Sequence, residues 1–153
     1  MGIVGGKMSG EQLMRTIAAA WEKSDMQPLM AALHDDVVWK TGSRHPGGPF
    51  SFKGDYTNRA GILDVLSNIS KDYTFHRMTP VEILEGPDVV WGLFDVSLSY
   101  DPKGRGMAPK TMKMEWVVHW RLKDGKIIEH QAFFDTAYLL MQQEAQPQVK
   151  RNQ

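Results

Sequence analysis

The chain has 153 residues, 42% of them hydrophobic and 24% charged, which is enough for one sizeable core and too little for two. Its 18 basic residues balance 18 acidic ones, so no bulk positive field draws a phosphate backbone, and nucleic acid is not an expected partner. Zero cysteines exclude disulfides and thiolate chemistry and suit a reducing cytoplasm. No apolar run reaches the ~18 residues of a membrane span, so no membrane partner is expected either.

Residues 1–8 lack a signal-length apolar core and read as a flexible N-terminus ahead of a single domain over 9–143. Ser9 and Gln12 have the spacing of a capping box, and Leu13, Ile17 and Trp21 then recur at helical spacing, widened by Met14 and Ala18. Asp25 opens a second short helix that tolerates Pro28 in its first turn and carries Leu29, Met30 and Leu33 on its apolar face. Asp35-Asp36 ends the helical region. Val37–Thr41 reads as a strand, 42–49 as a Gly- and Pro-rich loop, and Phe50-Ser51-Phe52 as a short strand. A third helix begins near Asn58 with Ile62, Leu63, Leu66 and Ile69 on one side. From Tyr73 onward the pattern is β: Thr74–Leu84, with Pro80 marking an edge or bulge, and then Val89–Tyr100. A mobile loop tip over Asp101–Pro109 leads to a hairpin of Met112–Leu122 and Lys126–Asp135. A last helix covers Thr136–Gln143, before a flexible tail over 144–153.

The hairpin register decides which side chains share a face, because a slip of one residue exchanges the two sides of a strand. A two-residue turn at Asp124-Gly125 sets His119 opposite His130. A three-residue turn over Lys123-Asp124-Gly125, with Gly125 left-handed, sets Val118 opposite His130 and Trp116 opposite Ala132. The second is preferred because it keeps Met114, Trp116, Val118, Trp120 and Leu122 on one apolar face with His130, Ala132 and Phe134. Lys113, Glu115, Val117, His119 and Arg121 then fall on the other face with Gln131 and Phe133.

Early helices followed by long antiparallel strands predict an α+β fold, not alternating βαβ units. The expectation is a strongly curved antiparallel sheet of about six strands, covered by three N-terminal helices and closing into a cone with an apolar interior.

The sequence resembles the nuclear transport factor two-like superfamily, in its SnoaL-like and ketosteroid-isomerase-like branch. The residues that carry this are Ala20–Asp25, Leu33–Trp39, His119–Leu122, Asp124–Ile127, Ile128–His130 and Phe134-Asp135. The resemblance implies a cystatin-like α+β cone and a homodimer through the outer sheet face. It also implies cofactor-free acid–base chemistry on a small apolar or cyclic molecule: isomerisation, cyclisation, dehydration or hydrolysis. The family's known catalytic groups do not carry over. The isomerase base aligns with Thr41, the oxyanion Tyr with Ile17 and the protonated Asp with Val118. The Asp-aromatic-aromatic-Asp run of the related hydrolases reads Ala132-Phe133-Phe134-Asp135 here.

His130, on the predicted pocket face, is the leading candidate to move a proton, with Thr41 assisting by hydrogen bonding. The plainer reading is a histidine satisfied within the core. Trp39, Phe94, Trp116, Trp120 and Phe134, with Val118 and Ala132, would form the substrate-binding wall, which is also core. Tyr56 and Asn58 could orient a ligand, although a helix cap accounts for Asn58 equally well. Asp135 suits the cap of the last helix, Asp95 and His119 fall on the outer face, and the loop from Arg44 to Pro49 is a candidate lid. No metal-ligand spacing and no phosphate-binding glycine loop is present, so neither metal nor cofactor is expected. A non-catalytic ligand-binding or interaction module is the alternative function.

Overall fold

The computed structural model describes residues 3–4, 7–102 and 109–145. In chain order the elements are β1 (Ile3–Val4), β2 (Lys7–Met8), α1 (Gly10–Glu22), α2 (Gln27–Ala32), β3 (Leu33–Lys40) and β4 (Asp55–Thr57). They continue as α3 (Asn58–Asp72), β5 (Tyr73–Gly86), β6 (Val89–Tyr100), β7 (Lys110–Lys123), β8 (Lys126–Phe133) and α4 (Thr136–Ala145). β1 and β2 pair with each other. The other six strands form one sheet in the order β4-β3-β8-β7-β6-β5, antiparallel except where β3 runs parallel to β8. The helices cover its concave side, giving an α+β cone. Among the described residues no helix is long and apolar enough to cross a membrane.

Local chemistry accounts for the helices. The Ser9 side chain accepts a hydrogen bond from Gln12 N at 3.1 Å and starts α1. Met14, Ile17, Ala18 and Trp21 form the buried stripe of that helix. Gly10 lets the start of α1 lie directly on the sheet, since a Cβ there would sit 2.5 Å from Val90 Cγ2. α3 buries Ile62, Val65 and Leu66, whereas Leu63, expected on the buried side, is 55% exposed. Val65 completes the i, i+3, i+4 face, and Leu63 is rotated off it.

The predicted strand Phe50-Ser51-Phe52 is not one. Those residues are turn and bend, and the short strand is Asp55–Thr57, paired with Val38–Lys40. The two phenylalanines nevertheless belong to the core, their rings stacked at 5.1 Å. Core burial explains their apolar character without strand pairing. β3 begins at Leu33, earlier than expected, and shifts register against β8 between Leu33 and Val38. Within the expected loop tip over Asp101–Pro109, residues 103–108 lie outside the described residues, as does the tail beyond 145; α4 itself continues to Ala145.

The hairpin register differs from both expectations. Asp124 and Gly125 have φ of 53° and 75°, a two-residue turn with Lys123 opposite Lys126, not the preferred three-residue turn. A bulge then inserts Ile128, so that Trp120 faces His130 and Val118 faces Ala132. The expected pairings Val118–His130 and Trp116–Ala132 are each displaced by two residues. An even displacement preserves parity, so the indoles and the imidazole still share the concave face. His119 pairs with Gln131 on the convex face, away from His130.

Candidate functional site

The concave side of the cone holds a partly open cavity of about 80 Å³. α1 contributes Met14, Ile17 and Trp21, α2 contributes Leu29, α4 contributes Leu139, and the concave sheet face supplies most of the rest. Trp39, Thr41, Phe94, Trp116, Val118, Trp120, His130, Ala132 and Phe134 all line it. Tyr56 does not. Its hydroxyl donates to Lys53 O at 2.9 Å, and its ring borders a separate open groove beside Arg44 and Asp55. The cause is the position of β4, which sets Tyr56 opposite Trp39 at the edge of the sheet.

His130 is 8% exposed and held on two sides. Its ring stacks on Trp39 with centroids 3.6 Å apart and 15° between planes. Trp120 Nε1–H donates to His130 Nδ1 at 3.0 Å. An indole nitrogen can only donate, so Nδ1 must carry a lone pair, and the neutral ring bears its proton on Nε2. Burial, with His119 as a lesser cause, lowers the pKa to about 3. The imidazole is therefore uncharged at neutral pH.

Thr41 is buried and already engaged. Its Oγ1 lies 2.8 Å from Ser43 O and 3.0 Å from Gly54 O, either of which can take its proton, and it accepts from Ser43 N at 3.2 Å. Its hydroxyl ties down the loop after β3. Next to it the Phe134 ring lies across Gly42, where a Cβ would come within 2.3 Å of Phe134 Cε1. Phe134 in turn stacks on Trp116 at 4.5 Å.

Several wall residues were not singled out from the sequence as site residues. Phe75 sits edge-on to both Trp21 and Trp116, each pair 5.4 Å apart between centroids. The Trp21 and Trp116 indole N–H groups are buried with no hydrogen-bond partner among the described residues. The Tyr73 hydroxyl donates to Gln143 Oε1 of α4, and burial raises its pKa. Trp21 falls on the α1 stripe and was legible as core. Tyr73, Phe75 and Leu139 reach the cavity through tertiary packing, for which spacing in one element gives no signal.

The remaining candidates serve structure or face outward. Asp135 Oδ1 accepts from Tyr138 N at 2.9 Å, capping α4, and Asn58 Oδ1 accepts from Gly61 N at 3.1 Å in the first turn of α3. Asp95 is exposed opposite Glu115 on the convex face. Arg44 pairs with Asp55 through two hydrogen bonds of 2.9 and 2.7 Å, which hold the Asp55 carboxyl below its usual range. His119 packs on Trp91 at 4.2 Å, with burial as the main cause of its lowered pKa. Near it Lys40 and Glu129 form a 2.6 Å ion pair, and the hydrogen bond from Lys40 lowers the Glu129 pKa. Among the described residues no group of three His, Asp or Glu side chains is placed to hold a metal ion.

The model of the SnoaL-like domain family matches residues 14–130, most of the chain and nearly all of the cone. The chain belongs to the SnoaL-like domain family. Solved structures agree on the fold. TerC, co-crystallised with polyporic acid, is 20% identical with a TM-score of 0.70, over 88% of this chain and 98% of that one. A Pseudomonas putida KT2440 protein that carries the name polyketide cyclase is 18% identical with a TM-score of 0.71, over 88% and 98%. An NTF2-like protein from Burkholderia thailandensis E264 is 23% identical with a TM-score of 0.67, over 89% and 96%. At these identities the likeness is one of fold. No curated protein matches the chain. The SnoaL-like cone accounts for the location of the cavity; its chemistry rests on this chain's own side chains.

Proposed function

We propose that this SnoaL-like domain binds a small, mainly apolar ring compound in its cone and isomerises or cyclises it without a cofactor. The observation that carries this reading is the cavity itself, lined by aromatic and aliphatic side chains and by one buried, neutral imidazole. Its size narrows the substrate. About 80 Å³ is well short of the ~300–1,000 Å³ of drug-sized sites, which favours a single small ring over a steroid. TerC, co-crystallised with polyporic acid, and the named polyketide cyclase support a small-molecule reading of the cone.

His130 contributes by its Nε2–H. A ring with Nδ1 already accepting from Trp120 is suited to polarising an oxygen, and less suited to removing a proton. Trp39 and Trp120 fix its plane, while Trp116, Phe94, Val118, Ala132 and Phe134 shape the space around the ligand.

A second reading, a binding module without turnover, is favoured by one specific observation: among the described residues no carboxylate lines the cavity. The two readings separate in one experiment. Monocyclic and bicyclic compounds are screened by melting temperature and tryptophan fluorescence, and each hit is then analysed by mass spectrometry after incubation. A hit converted to an isomer or cyclised product supports catalysis; a hit recovered unchanged supports the binding module. If no ring compound moves either signal, the cavity is only core and both readings are lost.

The convex face is the proposed homodimer surface. Leu84, Trp91 and Phe133 stand on it 62%, 44% and 45% exposed, an apolar patch that a second copy would cover.

A further inference from the structure

The segment between β3 and β4 has two faces. Inward, Thr41, Gly42 and Phe52 line the cone cavity. Outward, at the free edge of the sheet, the same segment and Asn68 of α3 wall the separate open groove, which has a volume of about 550 Å³. That volume lies within the ~300–1,000 Å³ of small-molecule sites. Two cations, Arg44 and Lys53, line the groove against one carboxylate, Asp55. Both Asp55 oxygens already accept from Arg44, at 2.9 and 2.7 Å. Lys53 has no carboxylate partner among the described residues, and its Nζ reaches only Phe50 O, at 3.5 Å. One positive charge in the groove is therefore uncompensated. The groove is also held in shape. Lys53 N donates to Phe50 O at 3.2 Å, and Lys53 O accepts from the Tyr56 hydroxyl at 2.9 Å. Phe50 and Phe52, on the same turn, are buried in the core. The ammonium thus stands on a fixed backbone, so little ordering opposes its use by a ligand.

We propose that this groove is a second binding site, distinct from the cone cavity, and that it takes a small monocarboxylate with a flat apolar body. A carboxylate supplies the single negative charge that the lining lacks. It accepts from Lys53 Nζ and from the guanidinium N–H groups that Asp55 leaves free. Asn68 contributes an amide donor, and Pro46 with the Tyr56 ring gives the body an apolar wall. A phosphate dianion fits less well, because its second charge meets no further cation and lies near the Asp55 carboxylate. The site stands whether or not the cone binds a ligand of its own.

The test titrates the ¹⁵N-labelled full chain at neutral pH with benzoate, with its neutral counterpart benzamide and with inorganic phosphate, followed by NMR. Benzoate should move the backbone amides of residues 53–56 and the Asn68 side-chain amide, and added salt should weaken it. Lys53→Gln should weaken benzoate about three- to tenfold, in line with the loss of one charge-assisted hydrogen bond, and leave benzamide unchanged. Lys53→Arg should restore benzoate to within about twofold of wild type, since a cation is again present. Asp55→Asn should tighten benzoate about threefold, because it removes the competing anion and frees Arg44. That gain is a change a folding defect would not produce, and it keeps the proposal open to test if Lys53→Gln is unstable. If benzoate moves no groove resonance, or moves only the indole resonances of the cone, the site is overturned and the cone reading is untouched. Benzamide binding as tightly as benzoate overturns it as well, as does an affinity unchanged in both Lys53→Gln and Asp55→Asn. Phosphate binding more tightly than benzoate overturns the choice of a monocarboxylate.

Discussion

At the scale of single residues, His130 shows how burial changes what a side chain can do. An exposed imidazole exchanges protons near neutrality; here desolvation lowers the pKa to about 3, and an indole donor occupies the free lone pair. The same shift has a consequence for stability. In the unfolded chain His130 takes up a proton as pH falls through about 6.5, whereas in the folded chain it stays neutral until about 3. The unfolded state therefore binds more protons across that window, and acidification favours it. Stability should fall between pH 6.5 and 4.5 by up to about 1.4 kcal/mol per unit from this residue, with His119 acting in the same sense. Urea melts across that range would show the slope, and His130→Phe should flatten it. An unchanged slope in the variant would mean that the ring is hydrated in the native state. From the sequence, His130 could be placed on the right face; its tautomer could not, because the partner that sets it lies across a bulge.

At the scale of elements, the C-terminal hairpin carries the site. Asp-Gly between two apolar runs announced a hairpin, and alternation announced its two faces. Turn length was not legible, because two- and three-residue turns both accept Asp-Gly. The chain uses the shorter turn and restores parity with Ile128. Gly125, at φ 75° with open space around its Cβ position, is required for its backbone rather than for packing. Gly125→Ala should cost about 1 kcal/mol, measured by chemical denaturation, and leave the cavity's fluorescence response to ligands intact. A loss of the response would show that the turn also sets the register. Gly42 is the opposite case: it sits in the expected loop, and what it accommodates is the Phe134 ring, a contact 92 residues away that no local pattern reports.

At the scale of the whole molecule, the sheet divides the protein into a concave side that holds the cavity and a convex side that leaves large apolar groups in water. The proposed dimer follows from the second. Trp91→Glu together with Phe133→Lys, at positions 44% and 45% exposed, should convert a dimer to a monomer with little change in far-ultraviolet circular dichroism. Sedimentation velocity would check this, and a wild-type chain that sediments as a monomer at micromolar concentration would remove the proposal.

Periodicity and turn chemistry by themselves determined the α+β class, most of the elements and the division of β7 and β8 into an apolar and a polar face, since these depend on neighbours a few residues apart. Tertiary structure alone decided that Trp120 rather than Val118 meets His130, that Tyr56 stands outside the cavity, and that Trp21, Phe75, Tyr73 and Leu139 help close it. The physical reason is that a bulge, a sheet edge and a packed helix join residues far apart in the chain. Their contacts depend on the geometry of several elements together, which no single stretch of sequence encodes.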